Sequence, residues 1–395
     1  MHVVSVIHYP TYGGPHHRTA ALIPELARRG ITSSVVIPSE DGNARGFLVD
    51  QGIDVHCLRF SRLRATTDPR THLRFAAAFR REVRQLRGLI RQLQADVVVV
   101  NGLVNPHAAI AGRLENRAVV WQLLDIFAPM PFRRAMMPMV SSLADAVMSS
   151  GRTVGELHPG APAFGERFVP FFSVVDTERF RNSAEARAKA RGLLGLSPNA
   201  LVVGNVSNLN PMKGHDLFIK AAGAVLQHRP DVKFVILGAQ SERHSLYLDA
   251  LWHDASHLGL RKGDNLIVMD PGRDVATFAP ALDVFWLTSP PRSEGVSTVI
   301  GEAMSLEIPV VATAVGSVVE SVADGVTGSL VPPLSPEALA RATLPYLDDS
   351  TLRARAGQAG RVRAKALFSV ERCADLHEKA FRLAVEHRRA ASGAS

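Results

Sequence analysis

Short apolar, β-branched runs recur along this chain without polar alternation, and helical segments separate them. In the first half the runs are His2 to Ile7, Ser33 to Pro38, Asp54 to Leu58, Asp96 to Val100 and Ala118 to Gln122. Thr19 to Arg29, Thr71 to Gln94 and Pro106 to Leu114 read as helices between them. A strand apolar on both faces belongs in a sheet covered on both sides, and strand–helix alternation makes that sheet parallel. The pattern restarts after residue 195. Leu201 to Val206, Lys233 to Leu237, Asn265 to Val268, Asp283 to Leu287, Pro309 to Ala312 and Gly328 to Val331 read as strands. Lys213 to Gln227, Leu246 to His257 and Val299 to Leu306 read as helices. The expected fold class is therefore α/β, with two doubly wound, Rossmann-like domains facing a central cleft. The expected boundaries are 1–172, 173–368 and a C-terminal helix within 369–395 that packs back on the first domain. Phe164 to Asn199 is the expected join, irregular at first and then helical.

The 395 residues, 46% of them hydrophobic, supply enough apolar material for two cores. Cys57 and Cys373 are the two cysteines, too few for a disulfide framework and fitting a reducing compartment. No run approaches the roughly 20 apolar residues of a membrane span, and the N-terminus lacks a signal-peptide pattern, so a cytoplasmic protein is expected. The net charge of +8 favours an anionic partner.

Chemistry concentrates in Ser289-Pro290-Pro291-Arg292-Ser293-Glu294-Gly295-Val296-Ser297-Thr298 and the helix that follows. Glu294 lies in the loop, Ser297 or Thr298 caps the helix, and Glu302 falls in its second turn. A helix N-terminus offers N–H groups and partial positive charge to a diphosphate, and carboxylates beside it can hold sugar hydroxyls. On residue types alone, a helix start with ordinary surface acids fits equally well. Lys213, after a strand and a loop, either points its charge into a cleft or stands in solvent. Gly13-Gly14 after the first strand marks a turn of many kinds. Asp125, at the end of a strand, either handles an acceptor hydroxyl or caps the next turn.

Together these segments resemble the retaining GT-B glycosyltransferases of family 4. The E-x7-E spacing of Glu294 and Glu302, Pro211-Met212-Lys213-Gly214, Val175-Asp176-Thr177-Glu178-Arg179-Phe180, Gly13-Gly14-Pro15 and Asp324-Gly325-Val326-Thr327-Gly328 are similar to that family's motifs and follow its order. The resemblance implies a transferase that moves a sugar from a nucleoside-diphosphate sugar, uridine before guanosine, to an acceptor hydroxyl with retained anomeric configuration and without a metal cofactor. It implies that Glu294 contacts the transferred sugar and Glu302 the ribose. Lys213 with the N–H groups of Ser297 and Thr298 takes the diphosphate. Gly272 and Arg273 sit beside the base, and Gly13 and Gly14 let the backbone approach the donor. Asn208 stands where the family has a phosphate-binding arginine, and Leu124, before Asp125, where it often has a histidine. A sugar-nucleotide epimerase or hydrolase of the same fold and a non-catalytic nucleotide-binding relative are the alternatives.

Ten arginines between Arg59 and Arg91, Arg64 among them, face two acids, Asp68 and Glu82, while Leu73, Phe75, Phe79, Val83, Leu86 and Ile90 recur at helical spacing. This stretch is either an ordinary helix with solvated arginines or a patch for anionic lipid head groups. It lacks the aromatic platform of a nucleic-acid binder, and no nucleic-acid partner is expected. His253 and His257 have no third ligand in sequence, and no P-loop or G-x-G-x-x-G motif occurs.

Overall fold

The computed structural model describes residues 1–62 and 68–393. The chain divides into two compact units: Met1–Val174 joined by the C-terminal helix Val370–Gly393, and Val175–Ser369.

In the first unit the strands are β1 (His2–Val6), β2 (Thr32–Pro38), β3 (Asp54–Leu58), β4 (Val97–Asn101), β5 (Ala118–Leu123), β6 (Ala146–Ser150) and β7 (Phe168–Phe171). They form one sheet in the order β3-β2-β1-β4-β5-β6-β7, with every pairing parallel. The alternation of side chains splits each apolar run between two cores. Val4, Val6, Val98, Val100 and Trp121 join one, and Val3, Val97, Val99 and Val120 join the other. The second core is closed by the C-terminal helix, through Cys373, Ala374, Ala380 and Phe381. Buried polar groups fix that helix. His377 Nε2 lies 3.2 Å from Gln122 Nε2, and His387 Nδ1 lies 3.0 Å from the buried Asp145 carboxylate. The two cysteines are not bonded to each other.

The second unit repeats the pattern with β8 (Val202–Val206), β9 (Lys233–Leu237), β10 (Leu266–Met269), β11 (Val284–Leu287), β12 (Val310–Thr313) and β13 (Gly328–Val331), in the order β10-β9-β8-β11-β12-β13 and again all parallel. Its core is centred on Phe218, Phe234 and Trp286, and the Trp286 indole N–H donates to Thr343 Oγ1 at 2.8 Å.

Three readings of the sequence need correction. The stretch from Phe164 is not an irregular join, because it contains β7. Pro170 masks this strand, and a proline is tolerated there because β7 is a sheet edge. The helix expected from Thr19 starts at Gly14, with Pro15 in its first turn, where a missing N–H costs nothing. Leu73 does not join the apolar face of the helix Pro69–Gln92 but is 69% exposed. Arg64 lies outside the described residues.

Candidate active site

A doubly wound sheet binds ligands at the carboxyl ends of its strands, where the strand order reverses. In the second sheet that point lies between β8 and β11. Lys213 follows β8 and Glu294 follows β11.

Glycine geometry sets the Lys213 side of the point. Asn210 Oδ1 accepts from Met212 N–H at 3.0 Å and starts a single 3-10 turn, Pro211–Lys213. Lys213 therefore precedes the helix His215–Leu226 instead of opening it. Between them Gly214 has φ +64°, and a Cβ there would lie 2.0 Å from the carbonyl oxygen of Thr288. Only glycine permits both the conformation and the approach. Thr288 Oγ1 closes the contact by donating to the Lys213 carbonyl at 2.9 Å. His215 is buried beneath this turn with Nε2 3.2 Å from Ser207 Oγ, and burial pushes its pKa down to about 4, so the ring is neutral.

The Glu294 loop is held as tightly. Ser293 N–H and Oγ–H both donate to the Pro290 carbonyl, closing a turn in which Arg292 carries φ +67°. Beneath it, Gly316 has φ +51°, and a Cβ there would lie 2.3 Å from the Glu294 carbonyl oxygen. Ser317 N–H donates to Gly295 O at 3.2 Å, and Thr313 Oγ1 donates to Ser289 O at 2.7 Å.

These two loops bring Lys213 Nζ within 2.7 Å of Glu294 Oε1, and Ser289 Oγ donates to the same oxygen at 2.6 Å. The Glu294 side chain is 6% exposed and that of Lys213 is 32% exposed. A buried carboxylate thus has a cation and a hydroxyl for partners, while the lysine keeps a solvent-facing side.

The helix Thr298–Ser305 begins next. Ser297 is its N-cap, and the Ser297 side chain makes no capping hydrogen bond; a helix start of this kind is where an anion would bind. Glu302 lies one turn inside. Among the described residues its carboxylate has no hydrogen bond or ion pair, and burial pushes its pKa up to about 7 against the opposing charge of Arg179. Arg179 itself donates to the Arg273 carbonyl at 3.2 Å. It thereby ties the chain after β7 to the loop after β10, where Gly272 (φ +56°) donates its N–H to Asp270 Oδ1 at 2.8 Å. Asn208 is a backbone brace: its Oδ1 accepts from Ala239 N–H at 3.2 Å across the ends of β8 and β9.

Asp125, Gly13 and Gly14 belong to the first unit. Its own reversal point lies between β1 and β4. Gly13 is the N-cap of the helix Gly14–Arg28, and no atom lies within 4 Å of a Cβ built on either glycine. Asp125 lies beyond β5, accepts from Phe127 N–H at 3.1 Å, and has its pKa raised by burial. It lines a hollow of about 380 Å³ together with His8, Tyr9, Leu103, Leu124 and Phe132. Arg133, buried, braces the hollow's rim by donating from Nε to the Ala128 carbonyl at 3.0 Å.

Sequence reasoning missed His8, Ser289, Arg179 and His215. The serine and the arginine were inside quoted motifs. His8 follows closely on the end of β1, which was the available signal, whereas His215 is the first residue of a helix. His253 and His257 are exposed neighbours with ring centroids 4.4 Å apart, and no three potential metal ligands gather among the described residues.

The profile described as Glycosyl transferases group 1 matches residues 187–363, and that described as Glycosyl transferase 4-like domain matches residues 13–162. Together they take in more than half of the chain. The chain belongs to the group 1 glycosyltransferase family. Curated relatives of this family include a lipopolysaccharide core biosynthesis mannosyltransferase of Rhizobium meliloti, 30% identical over 50% of this chain and 55% of the relative. Another is a GDP-mannose-dependent alpha-(1-6)-phosphatidylinositol monomannoside mannosyltransferase of Mycolicibacterium smegmatis, 33% identical over 47% of this chain and 49% of the relative. The chain spans about half the length of these relatives. Among solved structures, the Anabaena protein HepE in complex with UDP superposes with a TM-score of 0.80 at 22% identity, covering 96% of this chain and 98% of that one. That likeness establishes the GT-B fold of two Rossmann-like domains.

Proposed function

We propose that this glycosyltransferase-family chain moves a sugar from a nucleoside-diphosphate sugar to an acceptor hydroxyl. In this reading the Val175–Ser369 unit takes the donor and the Met1–Val174 unit the acceptor. The observation that carries it is the Lys213–Glu294 pair at the β8–β11 reversal point, beside the start of the helix Thr298–Ser305. Lys213 and the N–H groups at Ser297 and Thr298 hold the diphosphate, Glu294 the sugar hydroxyls and Glu302 the ribose. The loop of Gly272 and Arg273 lies by the base. Asn208, engaged with Ala239, stays a brace and adds no charge to the site.

In the reaction the bond between the anomeric carbon and the phosphate oxygen breaks, and a bond to the acceptor oxygen forms. The acceptor's proton passes to the departing phosphate. Charge builds on the diphosphate, so catalysis consists of stabilising that charge and holding the reactants in place. Lys213 and the helix start supply that stabilisation without calling on a metal ion. The family resemblance implies retention, and same-face transfer assisted by the departing phosphate is the retaining route that needs no enzyme nucleophile. Asp125 orients the acceptor hydroxyl.

Ligand-detected NMR with UDP-glucose, UDP-N-acetylglucosamine and GDP-mannose tests the donor site, with Glu302→Ala as control. We expect a uridine donor to bind and the variant to lose it. GDP-mannose stays in the screen because of the Mycolicibacterium relative's name. Donor consumption at full rate without any acceptor would favour the epimerase or hydrolase reading. An inverted product linkage would overturn retention.

The reading extends to place. No helix among the described residues is long and apolar enough to cross a membrane. Arg70, Arg74, Arg80, Arg81 and Arg84 are exposed along the helix Pro69–Gln92 beside the exposed Leu73, whereas Arg87 and Arg91 are engaged by Glu115. A cytoplasmic protein resting this face on anionic lipid fits that pattern. Flotation with anionic vesicles should carry the protein upward, and its staying at the bottom would remove this part of the reading.

A further inference from the structure

The hollow at the carboxyl ends of β1, β4 and β5 has a composition unlike that of the other site. Leu103, Val104, Leu124, Phe127, Pro129 and Phe132 form its walls, and Phe127 stands 48% exposed at its edge. Among the described residues, two charged side chains reach it, Asp125 and Arg62. Arg62 is already paired with Glu40 at 2.9 Å. His8 adds no charge. Its Nδ1 lies 2.8 Å from the Asn101 carbonyl, to which it must donate, and burial pushes its pKa down to about 4. Among the described residues of this lining the one cation, Arg62, is thus already paired, while one carboxylate faces an apolar wall. The volume, about 380 Å³, lies within the range of small-molecule sites.

We infer that this hollow is the acceptor subsite and that it selects an uncharged acceptor built from a hydroxyl-bearing head and a small apolar aglycone, the head at Asp125 and the aglycone against Leu124, Phe127 and Phe132. The inference rests on the proposed division of donor and acceptor between the two units. Apolar area removed from water supplies the affinity, and the acid supplies the orientation. A phosphorylated acceptor is disfavoured because Asp125 would repel it and Arg62 is engaged.

The test is calorimetric titration of the full chain with methyl, hexyl and phenyl β-glucoside and with glucose 6-phosphate, donor absent. Hexyl and phenyl glucoside should bind at least about tenfold more tightly than methyl glucoside, a factor that burying about two methylenes would give. Leu124→Asp should erase that gain. Because a wall substitution could unfold the unit, Phe127→Ser at the exposed edge should reduce it by about threefold, with the melting temperature read alongside. Equal binding of methyl and hexyl glucoside, or tighter binding of glucose 6-phosphate, overturns the inference. Donor titration is read separately. If nucleotide sugars fail to bind while hexyl glucoside does, the transferase reading falls and the apolar subsite stands. If donors bind and the glucosides show no preference, the reverse holds.

Discussion

The two sheets share one topology and end in different chemistry. At the β8–β11 reversal point the strand ends carry Lys213, Ser289 and Glu294, linked by hydrogen bonds of 2.7 and 2.6 Å. At the β1–β4 point they carry a neutral His8 over a hollow walled by leucine, phenylalanine and proline. The glycines differ too. Gly214 and Gly316 are forced by positive φ and by carbonyl oxygens about 2 Å from any Cβ, so they are structural. Gly13 has an extended φ of −170° and open space in front of it. The same kind of sheet edge thus serves one site by locking charged groups together and the other by leaving room.

Lys213→Ala is the largest test of this contrast. It removes the main cation proposed for the diphosphate and leaves Glu294 buried with only Ser289, so transfer should fall by about 10²–10³-fold in a coupled assay. An activity within threefold of the parent would place the phosphate charge elsewhere. Gly214→Ala comes next. The clash with the Thr288 carbonyl and the positive φ should lower stability by about 2–4 kcal/mol in chemical denaturation. Gly13→Ala should stay within about 0.5 kcal/mol. Equal effects would mean that the two glycines do not differ as their geometry says.

Asp125→Asn should lower transfer about tenfold to a hundredfold while leaving nucleotide-sugar affinity unchanged. A loss of donor binding would erase the division between the units. The smallest effect is that of pH on Glu302. A buried acid whose folded pKa lies above its unfolded value is fully accommodated when protonated, below pH 4.5. Its cost grows as pH rises through 7, the folded pKa, and then levels off. Glu302→Gln should therefore raise the melting temperature more at pH 8 than at pH 5, by an amount equivalent to at most about 3 kcal/mol. If ribose hydroxyls donate to the ionised carboxylate, donor affinity of the parent should weaken about tenfold from pH 8 to pH 6. Flat profiles in both measurements would remove Glu302 from the donor site.

Much of this was legible in advance. Strand runs at Asp54 to Leu58, Lys233 to Leu237 and Gly328 to Val331 coincide with β3, β9 and β13 to the residue. Non-alternating valines, such as those of β4, require cover on both faces whatever the rest of the chain does. The edge strand β7 stayed hidden because Pro170 argues locally against a strand, and only its position at the end of the sheet makes that proline harmless. Leu73 was misassigned because helical periodicity marks a face without showing whether anything covers it.

The sequence by itself determined the repeated parallel sheets, the loops that carry Lys213, Asp125 and Glu294, the helix that carries Glu302, and the family, because each depends on local pattern or on the order of short motifs. Tertiary structure alone decided that Lys213 meets Glu294 across 81 residues, that the half-buried Glu302 carboxylate has no hydrogen-bond partner among the described residues, and that Asn208 holds a backbone N–H. It also decided that His8 and Leu124 line one hollow. Contacts, burial and the pKa values they set depend on what the fold brings alongside a residue from distant parts of the chain, and no local pattern encodes that.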